Sequence, residues 1–351
     1  MMDFLLTMLN GGIKELLEYL SAHVITCLVP AFFIAGAMAV IVTKGAVIKY
    51  FGVQAKRWVA YTVASVSGML LAVCSCTVLP LFAGIYSLGA GLGPAVTFLY
   101  SGPAINILAI SLTGAAIGWH MGVARGVGAV VFAIIIGIIM SLLFAKDEKR
   151  RMAEIGDLPQ ETTEKPVTFL IVFFGIMVGI LIISTSNLEV WVKVALDLAL
   201  ISTLGVMVYR YFAEGEFSLW MEETWGLVKL VVPTLMIGVF LVGMVTSIIP
   251  PALISNYVGE NTLTANFAAS LIGALFYFST LTEVPIVKGL MDLGMNQGPA
   301  LALLLSGPAV SIPNLLVVYR IMGLKRTAAY FVLVVMMATL TGWLYGYFFV
   351  L

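Results

Sequence analysis

The chain has 351 residues, of which 61% are hydrophobic and 10% charged, and its mean hydropathy is +1.09. A soluble domain carries about a quarter charged residues, so this composition excludes an ordinary water-soluble fold and places the chain in a bilayer. Lys and Arg (18) balance Asp and Glu (18), which offers nucleic acid nothing to bind, and three cysteines (Cys27, Cys74, Cys76) make no disulfide framework.

In chain order, the start lacks a basic n-region and a small-residue cleavage site, so it does not read as a signal peptide. Phe4, Leu5, Met8, Leu9, Ile13, Leu16, Leu17 and Leu20 recur at helical spacing, with Lys14, Glu15 and Glu18 opposite. This pattern predicts an interfacial amphipathic helix over 1–22, lying on the membrane. A first repeat, 23–145, carries apolar spans near 24–43, 58–75, 94–113 and 123–145, close to the roughly 20 residues that cross a bilayer as a helix. The stretch 146–165, "KDEKRRMAEIGDLPQETTEK", mixes both charge signs and reads as a soluble cytoplasmic linker. A connecting transmembrane hairpin follows over 166–210, with spans 167–185 and 191–209. The second repeat, 226–351, carries spans 227–249, 264–281, 299–319 and 327–350. Two apolar pieces, 77–90 and 283–293, are too short to cross as ordinary helices. The expected fold class is therefore an all-α polytopic membrane protein of about ten transmembrane helices plus two short broken or re-entrant segments.

The halves repeat. "VLPLFAGIYSLGAGLGPAVTFLYSGPAI" (78–105) matches "EVPIVKGLMDLGMNQGPALALLLSGPAV" (283–310), with Pro80 opposite Pro285, Gly93-Pro94 opposite Gly298-Pro299 and Ser101-Gly102-Pro103 opposite Ser306-Gly307-Pro308. Basic residues cluster in 44–57, 146–151 and 320–326, which the positive-inside rule makes cytoplasmic. Their counterparts in the other half, 250–263 and 114–122, hold no Lys or Arg. The charge bias flips, which predicts an inverted-topology repeat with both termini outside. Inverted repeats whose matching segments are short and interrupted by Gly or Pro point to a transport site near the bilayer midplane.

The chemistry concentrates at the breaks. In "LLAVCSCTVLPLF" (70–82), Cys74 and Cys76 flank Ser75 four residues before Pro80. On a continuous helix, positions i and i+2 sit about 200° apart and share no ligand. Pro80 lacks an N–H and crowds the carbonyl of Cys76, so the helix is expected to break at the second cysteine. Both sulfurs would then face one cavity suited to a soft centre such as Cu(I), Zn(II) or trivalent arsenic. The plain alternative, a cysteine serving as a small hydrophobe, fits Cys27. Around Pro285 lie Glu283, Lys288 and Asp292. An intramembrane charge is costly, so Glu283 is expected either to pair with Lys288 or to titrate as a proton-coupling carboxylate. The alternative is a loop whose charges reach the headgroups. "YSGPAIN" (100–106) and "LSGPAVSIPN" (305–314) join breaks at Gly102-Pro103 and Gly307-Pro308 to the amides of Asn106 and Asn314. Exposed backbone at such depth is tolerated inside protein or beside a water-filled cavity, which marks a substrate path; the alternative is a kink that lets helices pack closely. His23 and His120 lie near span ends and read as interfacial. Walker A, HExxH and Gly-x-Ser-x-Gly patterns are missing from the sequence, so neither an ATP-driven pump nor a familiar hydrolase is indicated. No cofactor is called for. A rival of another class is an intramembrane thiol oxidoreductase with Cys74 and Cys76 as its redox pair.

"CSCTVLPLFAGIYSLGAGLGPAVTFLYSGPAINI" resembles the signature of the predicted permease family that includes the organoarsenical efflux permease. In that family a Cys-Ser-Cys-Gly-x-x-Pro-Leu run precedes a Gly-rich turn and a Pro-x-x-Asn segment, and Cys74, Ser75, Cys76, Pro80, Leu81, Pro103 and Asn106 fall on it. Thr77 departs from the family's usual Gly, and the second half has Leu281 and Thr282 where a mirrored cysteine would stand. The resemblance implies a multi-pass permease of a prokaryotic inner membrane that extrudes trivalent, thiol-reactive arsenicals. Taken together with the breaks and charges read above, the candidate substrate residues are Cys74, Ser75, Cys76, Pro80, Asn106 and Asn314, the candidate pathway Gly102, Pro103, Pro285, Gly307 and Pro308, and the candidate coupling residues Glu283 and Lys288. The permease's partners would be the small-molecule substrate and membrane lipid. A permease for another small solute or soft metal species is the alternative.

Overall fold

The computed structural model describes residues 2–20, 29–41, 56–71, 75–105, 107–156, 165–185, 189–247, 257–276 and 283–349. All regular structure among them is helical. The helices are α1 (Met2–Tyr19), α2 (Val29–Ile41), α3 (Arg57–Leu71), α4 (Ser75–Ser87), α5 (Leu92–Ala104), α6 (Ile107–Ala116), α7 (Trp119–Leu143) and α8 (Ala145–Gly156). They continue as α9 (Val167–Thr185), α10 (Val190–Tyr211), α11 (Glu216–Thr246), α12 (Leu263–Leu275), α13 (Glu283–Asp292), α14 (Gln297–Ser306), α15 (Ile312–Met322) and α16 (Leu324–Phe349).

The chain is a multi-pass membrane protein, and two of its apolar runs are more broken than the sequence pattern predicts. Among the described residues four helices are long and apolar enough to cross: Trp119–Leu143, Val190–Tyr211, Glu216–Leu241 and Leu324–Phe349. A fifth is obtained if Leu92–Ala104 and Ala109–Ala116, bent by 40°, count as one. The runs 94–113 and 299–319 each resolve into two short helices, because the Ser-Gly-Pro segments interrupt the hydrogen-bond ladder. In the first half the interruption falls slightly later than expected. Gly102 and Pro103 complete the last turn of α5, and the Ile105 N–H still reaches the Ser101 carbonyl at 2.9 Å. In the second half Gly307 caps α14 and Pro308 lies in the turn that follows.

The helices α3 to α7 recur as α12 to α16 at a spacing of about 205 residues, and so do their packings: α3 on α5, α5 on α7 and α6 on α7 match α12 on α14, α14 on α16 and α15 on α16. One glycine contact fixes the crossing in each half. A Cβ added at Gly93 would stand 2.8 Å from the Gly137 carbonyl oxygen, and one at Gly298 would stand 2.8 Å from that of Gly342. The helices can approach this closely only where both residues lack side chains. Between the halves the packing is reciprocal: α4 of the first meets α15 of the second, and α13 of the second meets α6 of the first.

Two segments are more embedded than their sequence pattern predicts. The N-terminal amphipathic helix packs along α11, because Gly11, Gly12 and Gly243 let the two backbones meet. Leu6, Leu9, Ile13 and Leu17 stay exposed on its far side. The first part of the 146–165 stretch folds as α8 and grips the tip of the α4–α5 hairpin. Glu148 accepts a hydrogen bond from the Leu92 N–H at the start of α5 (3.1 Å), and Arg151 donates to the carbonyls of Tyr86 (2.7 Å) and Ala90. The open peptide groups at both helix ends are thereby satisfied by one side-chain pair.

Candidate functional site

The broken helices converge on a buried ion pair. Arg125, in the second turn of α7, and Glu283, the first residue of α13, meet with Nη2 and Oε2 2.9 Å apart, and both side chains are fully buried. Arg125 Nη1 also donates to Thr113 Oγ1 of α6 at 3.1 Å, while the threonine hydroxyl donates back to the Ala109 carbonyl at 2.7 Å. The site thus joins α6 and α7 of the first half to α13 of the second. Gly307 closes it from the α14–α15 turn, where a Cβ would come within 2.8 Å of Glu283 Oε1.

Not every polar atom here is used. Arg125 Nε, Glu283 Oε1, Ser311 Oγ and Asn314 Oδ1 are buried with no hydrogen-bond partner among the described residues. A buried polar group left unpaired costs about 1–3 kcal/mol. Such orphans mark places where water, an ion or a solute is accommodated. Three of the four belong to the second half at or near its break: Glu283 against the Gly307 turn, Ser311 at the start of α15 and Asn314 one turn in.

The predicted site residues fare unevenly. Glu283 is fully buried, and its partner is Arg125. Lys288 instead pairs with Asp292 one turn on, at 45% and 63% side-chain exposure, so it stands outside the site. The reason is helical spacing: positions 283 and 288 fall on different faces of α13, whereas 288 and 292 are i and i+4 neighbours. Pro285 sits in the first turn of α13, where a missing N–H breaks no intrahelical bond. Asn314 is buried at the start of α15, beside the break.

Pro80 does not break its helix. Ser75, Cys76 and Pro80 all belong to α4, which runs through the proline to Ser87. Among the described residues it runs from Ser75 and does not end at the second cysteine. Pro80 is its sixth residue, so the one carbonyl deprived of an i+4 donor is that of Cys76, in the first turn, and the ladder beyond it is intact. Cys74 and Asn106 lie outside the described residues.

Arg125 was not anticipated from the sequence. It stands two residues inside a predicted span boundary, where an arginine reads as a snorkelling end residue. The repeat held the signal. At a spacing of 205, Arg125 falls opposite Tyr330 and Glu283 opposite Val78, two unmatched charges of opposite sign.

A family model described as a predicted permease (ArsP_1) matches residues 10–347. The UPF0718 protein MJ0584 of Methanocaldococcus jannaschii is 43% identical over 98% of this chain and 98% of its own length. The UPF0718 protein YraQ of Escherichia coli K12 is 26% identical over 74% of this chain and 59% of its own length. No solved structure matches.

Proposed function

Because this chain belongs to the predicted permease family, we propose that it is an inner-membrane permease that exports small thiol-reactive solutes, trivalent organoarsenicals first among them. The observation that carries the reading is the reciprocal seating of short broken helices, α4 on α15 and α13 on α6, the second of them at the buried Arg125–Glu283 pair. Such a contact has two pseudo-equivalent arrangements, one per half. A permease that rocks one half against the other exchanges them and exposes the centre to each side in turn.

The buried guanidinium of Arg125 needs a negative partner throughout the cycle, because an uncompensated buried charge is costly. Glu283 supplies that charge in this conformation. Its protonation or displacement frees the α6–α13 contact, which makes the pair the coupling element of the transporter. The Cys-Ser-Cys run at the head of α4 supplies the soft ligands. The Cys76 carbonyl, deprived of its helical donor by Pro80, adds a polar acceptor at the same place. Two sulfurs hold a trivalent arsenical by exchange with its oxygen or sulfur substituents, and fewer ligands than three favour its release.

The test is uptake of methyl- and phenyl-arsenicals in the trivalent state by everted membrane vesicles. Cys74→Ser and Cys76→Ser should each abolish uptake at normal expression, because serine offers a hard hydroxyl in place of sulfur, while Cys27→Ser should be nearly silent. Full uptake in the double Cys74→Ser/Cys76→Ser variant would refute the soft-ligand reading.

A further inference from the structure

A cavity of about 420 Å³ opens beside the C-terminal end of α4, between α4, α11 and α15, with Ala83, Tyr86, Ser87, Arg151, Glu223 and Arg320 in its wall. It lies at the basic end of the protein. Arg326 Nη1 donates to the Tyr86 hydroxyl at 2.7 Å, and the Arg151 guanidinium lies 3.7 Å from the Tyr86 ring centroid. Residues from two of the three basic clusters therefore meet at one aromatic ring, and the positive-inside rule makes this face cytoplasmic.

From this placement the geometry points to a cytoplasmic substrate vestibule that admits solutes carrying a negative group, with Arg320 as the residue that receives it. The inference rests on the permease reading above and adds a side of access and a charge preference to it. Three features support it. The α4 residues in the wall are in register with position 76 of the motif: 83 and 87 follow it by seven and eleven positions, close to whole turns. The inner wall at Ala83 is thus about 10 Å along α4 from residue 76, at 1.5 Å per residue. The charges also differ in availability. Arg151 is committed to Glu148 and to two carbonyls, whereas Arg320 is exposed and has no hydrogen-bond or ion-pair partner among the described residues. Finally, the charge balance of the wall is positive: Arg151 and Arg320 stand against Glu223, while Arg326 reaches the Tyr86 hydroxyl and Glu148 is held by Arg151 and the Leu92 N–H. The remaining wall is apolar, supplied by Leu227, Leu230 and Ile321. A solute with an apolar body and an acidic group fits both parts.

The experiment reads access directly and does not depend on cargo. In a background carrying Cys27→Ser, Cys74→Ser and Cys76→Ser, a single reporter thiol is introduced as Ala83→Cys, or as Ser87→Cys should the first variant insert poorly. Everted vesicles are treated with anionic sulfonatoethyl or cationic trimethylammonioethyl methanethiosulfonate, each rate being normalised to the same reagent's rate with a free thiol. The anionic reagent should be favoured by about fivefold, since one net charge acts across a few ångströms of partly screened space. Arg320→Gln should remove that preference, and Glu223→Gln should enlarge it. Failure of both reporters to label from the cytoplasmic side would overturn the vestibule. Labelling whose charge preference ignores Arg320→Gln would overturn the assignment of Arg320. Neither result bears on whether the cysteines carry arsenicals, so the two readings fail separately.

Discussion

The Tyr100 hydroxyl donates to the Leu305 carbonyl at 3.4 Å, and the two residues are 205 positions apart, the spacing of the internal repeat. A residue that contacts its own counterpart lies on the pseudo-twofold axis relating the halves. Tyr100 and Leu305 therefore mark where α5 and α14 meet. The Arg125–Glu283 pair also spans the two halves, and its counterpart positions hold Tyr330 and Val78. The arrangement is twofold in backbone and single in charge.

Neutralising one partner of this pair leaves the other buried and uncompensated, which costs about 3–5 kcal/mol. Glu283→Gln and Arg125→Gln should each lower the detergent melting temperature markedly. The double variant should recover much of the loss, since two neutral amides can hydrogen-bond to each other. Recovery of stability should not restore function: flux through the double variant, and through Glu283→Gln where it inserts, should no longer follow a pH gradient. Normal pH-driven flux in Glu283→Gln would remove this residue from the coupling role.

Glycines separate packing from mere apolarity. A Cβ at Gly342 would stand 2.4 Å from the Gly298 carbonyl, while one at Gly175, on α9, meets nothing within 4 Å. Gly342→Ala should therefore force α14 and α16 apart and reduce stability by about 1–3 kcal/mol, as overpacking does. Gly175→Ala should be neutral or slightly stabilising, as alanine is the better helix former. Thermal unfolding of the two purified variants decides the matter.

Sidedness follows from α16. Arg326, in its first turn, reaches Tyr86, whereas Asn261 donates to the Trp343 carbonyl near its other end. Single cysteines introduced as Lys325→Cys and Glu260→Cys in a cysteine-free background should label with an impermeant maleimide from opposite sides. Labelling of both from one side would mean that α16 does not cross the membrane.

Much of this architecture is legible in the sequence because Gly and Pro punctuate helices locally, so the repeated Ser-Gly-Pro and Gly-Pro positions foretell where α5, α14 and α15 begin or end. Side-chain partnerships across the fold are not local. Arg125 and Glu283 are 158 residues apart, and no periodicity within either segment points to the other. The grip of Glu148 and Arg151 on the hairpin tip was hidden for a related reason. A run of mixed charges reads as solvated until the helix ends that it caps are known. Pro80 misleads in the opposite sense, because a proline's effect depends on its distance from the helix start, and that start is set by residues before it.

The α8 grip yields its own prediction. Arg151→Gln removes charged hydrogen bonds to two carbonyls at the hairpin tip, each worth about 1.5–3 kcal/mol. Amide hydrogen exchange should accelerate over residues 86–92 and stay unchanged at the α5–α7 crossing around Gly93 and Gly137. Uniform acceleration across the first half would mean that α8 supports the whole half and not the hairpin tip.

The last prediction concerns the proline at the head of α4. Pro80→Ala supplies an N–H that can reach the Cys76 carbonyl and complete the first turn, while the rest of the helix, already continuous, is unchanged. The variant should insert normally and be as stable as the parent, because the hydrogen bond gained offsets the small loss of packing. Arsenical efflux should nevertheless fall, since a carbonyl engaged within the helix no longer faces the solute bound at the cysteines. Leu79→Ala controls for packing: it removes a fully buried side chain, so it should lower stability by about 2–5 kcal/mol without touching that carbonyl. Efflux that tracks stability across both variants would reduce Pro80 to a packing residue. Efflux lost in Pro80→Ala at full stability would identify the open Cys76 carbonyl as part of the site.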